Sequence, residues 1–140
     1  SNDRIQQSSY SLIPEGRGRD LIHLRLGEII LDMRQSYCEA LSQQTQQRPP
    51  TWMLFMATDQ LNLGCQYLGS TKDRVRLATL NLEAGESAVA RSAFNPALRY
   101  LDAGIKLLDQ IEGDNVKWTE HYDLAIALHQ QACEMASCLG

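Results

Sequence analysis

The stretch Leu77-Ala-Thr-Leu-Asn-Leu-Glu-Ala-Gly-Glu-Ser-Ala-Val-Ala90 decides the fold of this 140-residue chain. Its apolar and small residues recur at steps of three and four, which is the spacing of a helix with one buried face. They are Ala78, Leu82, Gly85 and Val89. After a short break the same spacing returns at Leu98, Leu101, Ile105 and Leu108. Two amphipathic helices so close together predict one helical hairpin over residues 77–108.

The break between the two helices contains Asn95-Pro96. An Asn side chain can accept a hydrogen bond from an unpaired N–H of a helix start, and Pro is tolerated at the first helical position. We therefore expect Asn95 to cap the second helix. Small residues occur where the two helices would need to approach closely, at Gly85, Ala88, Ala97 and Gly104.

Length and composition predict one domain with a core of its own. A chain of this size buries about two thirds of its unfolded surface. Hydrophobic residues make up 44% and charged residues 21%, and no run of about 18 apolar residues could span a bilayer. The N-terminus is polar and lacks the apolar region of a signal peptide. We expect a cytoplasmic protein.

The four cysteines have no CxxC spacing, which argues against a metal or redox motif. They lie within helical patterns, so we expect reduced, buried thiols. They are Cys38, Cys65, Cys133 and Cys138.

The net charge of -4 is concentrated in the C-terminal part. Acidic and basic residues balance through Phe94, whereas seven acidic residues face three basic ones after it. A nucleic-acid surface needs clustered Lys and Arg, so this distribution argues against one. It indicates a solvated acidic face.

Two further long helices precede the hairpin. Residues 20–44 form the first, and its core stripe is predicted to be Ile22, Leu26, Ile29, Met33, Tyr37 and Ala40. A second apolar strip on it consists of Leu21, Leu24, Ile30 and Leu31. The next helix is expected to start after Thr51 and to stop at Gly69, where Ser70 and Asp73 then favour a capped helix start.

The last helix, from about Thr119, is predicted to have more apolar surface than one neighbour can cover. Its main stripe is Leu124, Leu128, Ala132, Met135 and Leu139, and it is flanked by Ala125, Ile126, Cys133 and Ala136. We expect the uncovered part to dock a following helix or to drive self-association of the isolated chain.

The side chains that could bind a metal or act as nucleophiles do not form a recognisable site in the sequence. His129 and Cys133 are four apart on one helix, with Cys138 or His121 nearby, but a zinc site needs three or four converging ligands. Ser8, Ser9 and Ser11 have no nearby activating His, and no GxxxxGK loop is present. We predict no catalytic, cofactor-binding or metal-binding residue, and no enzymatic activity in this chain.

The central hairpin resembles a degenerate tetratricopeptide repeat, a unit of two antiparallel helices. Gly85 matches the small position of the first helix, and Ala97, Leu101 and Gly104 match positions of the second. Asn81 and Ala88 stand where the repeat usually has aromatic residues, and Asp109 stands where it has proline. The hairpin therefore resembles a relative of the repeat and not a consensus repeat.

Several stretches resemble large multidomain STAND/AAA-type signalling ATPases, in which kinase-like, ATPase, TPR-like, GAF and histidine kinase regions follow one another. The resembling stretches are Asp3-Arg-Ile-Gln-Gln-Ser-Ser-Tyr-Ser-Leu-Ile-Pro-Glu15, His23-Leu-Arg-Leu-Gly27, Asp59-Gln-Leu-Asn62 and Trp118-Thr-Glu-His-Tyr-Asp-Leu-Ala125. The family usually has His before the Asp-Arg pair, where this chain has Asn2.

This resemblance implies an all-α fold of antiparallel helical hairpins in a TPR-like, right-handed superhelical array of about five to six helices. It makes residues 1–13 the end of a preceding ATPase-associated, winged-helix-like segment and residues 18–140 a helical domain truncated at both ends. The implied function is a non-catalytic regulatory or protein-interaction module. Its partners would be adjoining ATPase and sensor or kinase domains, or peptides, and neither nucleic acid nor a membrane.

The alternative is a stand-alone helical bundle that binds a small apolar ligand and has weak enzymatic function. A bundle closes its core on itself, whereas an array leaves apolar surface at its ends. Hydrophobic-dye binding and the oligomeric state of the isolated chain therefore discriminate between the two.

Overall fold

A computed structural model describes residues 16–41, 48–111 and 119–140. These ranges contain five α-helices described from end to end and no strand. The helices are α1 (Arg17–Leu41), α2 (Thr51–Leu63), α3 (Thr71–Ala90), α4 (Phe94–Asp109) and α5 (Tyr122–Leu139), with a 3₁₀ turn at Cys65–Tyr67 between α2 and α3. The predicted all-helical class is confirmed for these residues.

Helices adjacent in sequence pack on one another throughout the described ranges. α1 packs on α2, α3 on α4 and α4 on α5, with a smaller contact between α2 and α3. Buried apolar side chains of α2 to α5 form one core cluster, in which Leu101 and Leu128 are the largest fully buried apolar residues. The predicted hairpin over residues 77–108 is confirmed as α3 and α4.

Close helix crossings occur at the predicted glycines. A Cβ on Gly85 would lie 2.8 Å from Leu101 Cδ2, and one on Gly104 would lie 2.8 Å from Leu128 Cδ2. Both distances are shorter than a normal van der Waals contact, so a side chain there would force its neighbour to move. The second helix of the hairpin therefore contacts α3 and α5 at van der Waals distance.

The pairing of α1 with α2 depends on two further glycines. A Cβ on Gly27 would lie 2.5 Å from Leu61 Cγ, and one on Gly64 would collide with the carbonyl oxygen of Asp20. Gly64 caps the end of α2 against the start of α1, so the two helices run antiparallel. The prediction that this helix continues to Gly69 was wrong, because the chain leaves the helix at Gly64, where only glycine fits.

The start of α3 is the one that the sequence predicts. Ser70 is the N-cap, and its hydroxyl accepts a hydrogen bond from the backbone N–H of Asp73 at 3.1 Å. This contact satisfies one of the unpaired donors of the first turn.

The turn between α3 and α4 differs from its prediction. α4 begins at Phe94 with Ala93 as N-cap and no side-chain cap, so Asn95 lies inside the first turn. Ser92 adopts a positive φ of 58°, and the N–H of Ala93 donates to the carbonyl of Ala88 at 2.9 Å. Together with the 2.9 Å bond from Ser92 N–H to Val89, this is a Schellman motif that closes α3 with serine in place of glycine.

The orientation of α1 also differs. Leu24, Gly27 and Leu31 face the rest of the molecule. The residues predicted as its core stripe are exposed or only half-buried instead, namely Ile22, Leu26, Ile29, Met33, Tyr37 and Ala40. Within the described chain, α1 has neighbours on one side only, so the strip containing Gly27 takes the close contact and the longer aliphatic stripe faces outward.

The crossing at Gly104 predicts that Gly104→Leu will destabilise the fold by about 1 to 3 kcal/mol, although Leu is the better helix former. The added side chain would have to displace Leu128 and the Cβ of Asn81, which lies 3.3 Å from an added Cβ. Urea denaturation monitored by circular dichroism measures this change. The matched control is Gly69→Leu, where nothing lies within 4 Å. Equal effects at the two positions would contradict a tight crossing.

The Schellman motif predicts that Ser92→Gly will stabilise the chain by about 0.5 to 1 kcal/mol, because glycine adopts a positive φ without steric cost. Ser87→Gly, inside α3, should instead destabilise it by about 0.5 kcal/mol. Thermal and urea unfolding of both variants provide the comparison. In the same series, Asn95→Ala should change stability by less than about 0.5 kcal/mol. A loss of about 1 kcal/mol there would restore Asn95 as a helix cap.

Candidate interaction surface

The outward face of α1 is a continuous apolar surface, here called the α1 stripe and composed of Ile22, Leu26, Ile29 and Met33. These four side chains are 38%, 43%, 42% and 50% exposed. Their spacing of four, three and four residues places them in one line along the helix. An exposed apolar line of this length is typical of an interaction site.

An open groove of about 560 Å³ extends the α1 stripe toward α2. Ile29, Met33, Tyr37 and Met53 line it, together with Asp32 and Ser36. Met side chains adapt their shape to different apolar partners. The groove therefore suits an apolar side chain of a docking segment.

The far end of the molecule carries a second apolar surface, here called the α5 strip and composed of Tyr122, Ile126, Cys133 and Ala136. All four are exposed, whereas Ala125, Leu128 and Met135 on the other side of α5 are buried. The prediction that the last helix has apolar residues its neighbour does not cover is confirmed for Ile126, Cys133 and Ala136.

The stretch Asp59-Gln-Leu-Asn62 connects α2 to three other helices. Asp59 accepts a hydrogen bond from Tyr100 of α4 at 2.7 Å, and Gln60 pairs with His23 of α1 at 2.6 Å. Asn62 pairs with Asn81 of α3. Leu61, between them, is buried against Gly27. One of the stretches behind the family resemblance therefore has a structural role here.

The Asn62–Asn81 pair is a reciprocal amide contact between α2 and α3. Each side-chain nitrogen donates to the other side-chain oxygen at 2.9 Å, and Asn81 also donates to the Leu77 carbonyl at 2.9 Å. Asn81 is fully buried. In the sequence comparison with tetratricopeptide repeats, Asn81 stood at a position that is usually aromatic, and here it holds a polar pair instead. Sequence analysis missed the pair, because a lone Asn in a helix does not identify its partner.

Tyr100 lies in a cluster that joins α2 and α4. Its ring stacks on Phe55 with centroids 5.7 Å apart, and the Arg91 guanidinium lies 5.7 Å from the Phe55 ring centroid. Burial of the hydroxyl and its hydrogen bond to Asp59 raise the pKa of Tyr100 well above its usual value. The cluster fixes the relative position of α2 and α4.

Polar side-chain contacts connect α1 to α3 and α3 to α5. Arg76 of α3 forms an ion pair with Glu28 of α1 at 2.9 Å. Gln131 of α5 donates to Glu86 of α3 at 2.9 Å. A further pair between α1 and α3, Arg34 with Glu83, measures 3.7 Å. α1, α3 and α5 thus lie side by side.

The described residues do not assemble a metal centre. Across residues 16–41, 48–111 and 119–140, no group of three His, Cys, Asp or Glu residues could hold a metal ion. The cysteines are free, with Cys38 and Cys65 half-buried and Cys133 and Cys138 exposed. The prediction of buried thiols was therefore wrong for Cys133 and Cys138, because α5 has no described neighbour on that side.

Some of the residues considered as site candidates in the sequence lie in the described part of the chain, and others lie outside it. His121, His129, Cys133 and Cys138 all belong to the described part of the chain, and they do not converge on one point. Ser8, Ser9 and Ser11 lie outside the described residues, as do residues 1–13 of the predicted winged-helix-like segment. Within the described ranges, no helix has the length and hydrophobicity needed to span a membrane.

Comparison with known proteins gives one similarity to a signalling protein. No protein-family model matches the chain, and no solved structure matches it. Hybrid signal transduction histidine kinase G from Dictyostelium discoideum is 26% identical over 148 residues, which cover 99% of this chain and 4% of the kinase. The chain thus spans a small part of the length of that relative. The similarity supports a signalling context, whereas the TPR-like and ATPase parts of the predicted resemblance stay predictions.

The Tyr100–Asp59 contact makes a prediction about pH. The pKa of Tyr100 is higher in the folded chain than in the unfolded chain, so the unfolded chain loses this proton first as the pH rises. The contribution of the Tyr100 hydroxyl to the free energy of unfolding is therefore complete below about pH 10 and falls above it. Between pH 9 and pH 11 the wild type should lose up to about 1 kcal/mol relative to Tyr100→Phe, after allowance for solvent screening.

Urea denaturation of both proteins at each pH measures the difference. Tyr100→Phe keeps the ring stacked on Phe55 and serves as the reference for the other tyrosines, because only the hydroxyl is removed. At neutral pH this variant should be about 1 kcal/mol less stable than the wild type. A stability gap between the two proteins that does not change with pH would contradict the assignment.

Proposed function

We propose that this chain is a non-catalytic helical module that regulates a larger signalling protein through contacts with neighbouring domains. The observation that carries the proposal is the match along 99% of this chain to 4% of a histidine kinase. A similarity that spans the whole helical chain but a small part of a large kinase is typical of an accessory region. We further propose that the larger protein is ATP-dependent and that this module couples its ATPase to a sensor or kinase.

The packing supports a TPR-like superhelical array. Sequential contacts join α1 to α2, α3 to α4 and α4 to α5, and polar contacts join α1 to α3 and α3 to α5. Contacts of each helix with its first and second neighbours are the pattern expected of stacked helical hairpins. A continued array of this kind would offer the face formed by α1, α3 and α5 to peptides or to an adjoining domain.

The apolar surfaces favour a module over a self-contained bundle. Both the α1 stripe and the α5 strip lie on terminal helices of the described chain, where an array would continue. The alternative, a bundle that binds a small apolar ligand, finds support in the groove lined by Ile29, Met33, Tyr37 and Met53. That groove is open along its length, whereas small-ligand sites enclose most of the ligand surface. The groove therefore fits a docking side chain better than a small ligand.

The decisive experiment replaces the matching region of the Dictyostelium kinase with this chain and measures ATP-dependent autophosphorylation of the purified chimera. A non-catalytic module should leave autophosphorylation present. Ile126→Asp in the chimera should change its rate several-fold, because it places a charge on the α5 strip. The isolated chain should neither hydrolyse ATP nor incorporate phosphate.

Leu63→Asp provides the matched control for this experiment. Leu63 is 57% exposed on α2, where it lines a cleft with Arg99 and Tyr100 of α4 and is not part of the α5 strip. The substitution introduces the same charge. Its chimera should behave as the unsubstituted one. Phosphate incorporation by the isolated chain would overturn the proposal, and so would equal effects of Ile126→Asp and Leu63→Asp.

A further inference from the structure

The α1 stripe faces away from the other described helices. Its four side chains are 38% to 50% exposed, whereas Leu24, Gly27 and Leu31 lie on the side of α1 that meets the rest of the molecule. At about 3.6 residues per turn, the two directions differ by about 160°. As far as the described residues extend, the side that carries the stripe is therefore open to a helix of another molecule.

The spacing of the α1 stripe is the same in both directions along the helix. The steps from Ile22 to Met33 are four, three and four residues, which is the spacing of the seam of a coiled coil. A reversed copy of α1 can share the midpoint between Leu26 and Ile29. Leu26 then meets Ile29 of the second copy, and Ile22 meets Met33. Such self-complementarity is what a two-fold interface requires.

Two opposite charges flank the α1 stripe on one side. Arg25 and Asp32 are exposed, and neither forms an ion pair with another described residue. They are seven residues apart, about 10 Å along the helix, which is too far for a pair within one chain. In the reversed arrangement the same flanks of the two copies meet. Arg25 and Asp32 of the second copy are then offset by two residues, about 3 Å along the helix axis.

These charges favour the antiparallel arrangement over the parallel one. In a parallel helix pair, opposite flanks of the seam meet. Arg25 and Asp32 would then lie against the flank that carries Ile30 and Tyr37, and neither charge would gain an ionic partner. Burying a charge without a partner is costly, whereas the antiparallel pair gives each charge an opposite one.

We propose that the α1 stripe packs against the same stripe of a second copy of this chain, in an antiparallel two-fold dimer with Arg25 beside Asp32 at both ends of the seam. A contact of one helix with one helix is at the small end of protein interfaces, so we expect a dissociation constant of roughly 1 to 100 µM. This inference concerns the N-terminal helix and does not depend on the proposed function.

Sedimentation velocity and equilibrium of the full 140-residue chain, from roughly 1 to 500 µM, test the proposal. The wild type should show a monomer–dimer equilibrium. Leu26→Asp should raise the dissociation constant at least about tenfold, because it places two carboxylates close to the two-fold axis. Leu63→Asp is the matched control, since Leu63 is an exposed leucine of α2 outside the stripe, and it should leave the equilibrium unchanged. Circular dichroism shows that each variant remains helical.

A charge exchange tests the direction of the two helices. Arg25→Asp and Asp32→Arg should each weaken the dimer about fivefold or more, because each places like charges opposite one another at two sites. An equimolar mixture of these two variants should associate about as tightly as the wild type, since an acid then faces a base at both sites. The double variant Arg25→Asp/Asp32→Arg should also recover. Both recoveries should diminish at high salt.

The same measurements distinguish a second copy from other occupants of the stripe. A wild-type chain that stays monomeric throughout the concentration range would overturn the proposal, and so would a dimer that persists in Leu26→Asp. Charge variants that weaken the dimer without recovery in the mixture would exclude the antiparallel pairing. Species larger than a dimer that disappear with Ile126→Asp would assign self-association to the α5 strip and also contradict the proposal.

Discussion

A leucine packed on a glycine of the preceding helix is the contact on which this architecture depends. It occurs at three of the four interfaces between consecutive described helices, with Leu61 on Gly27, Leu101 on Gly85 and Leu128 on Gly104. At each one the missing Cβ lets two helices approach until the leucine fills the space, so the contact fixes both distance and register. Because all three leucines are fully or almost fully buried, the same contact also supplies much of the core. The fold is therefore a series of similar helix pairs, which is the simplest way to extend an α-helical chain.

The contact between the α1–α2 hairpin and the α3–α4 hairpin is polar instead. Between α2 and α3 the chain uses the Asn62–Asn81 amide pair, and Asn81 is fully buried with its donors satisfied. A buried amide that loses its partner incurs the desolvation cost of an unpaired polar group. Such a pair specifies one register where apolar packing alone would tolerate several. Close glycine contacts thus define each hairpin, and a polar pair defines how the hairpins stack.

The sequence predicts those features that are encoded within a few residues. The α3–α4 hairpin, the Ser70 cap and the glycine crossings all follow from local patterns. The orientation of α1 does not, because this helix has two apolar strips of similar quality, and periodicity alone cannot show which one meets α2. Gly27, which lies between Leu24 and Leu31, was the signal that could have decided it. The Schellman turn at Ser92 was likewise hidden, since serine seldom adopts a positive φ. The exposed apolar surface was predicted at α5. It was missed at α1, because the periodicity did not show which of the two apolar strips faces outward.

The α1 stripe and the α5 strip differ in composition. The α1 stripe consists of large aliphatic side chains, whereas the α5 strip mixes one isoleucine with tyrosine, cysteine and alanine. Permanent interfaces resemble a protein core, whereas exchangeable ones are about as polar as the rest of the protein surface. By this criterion the α1 stripe has the composition of a permanent contact. The α5 strip, with one isoleucine among tyrosine, cysteine and alanine, departs further from the composition of a permanent contact.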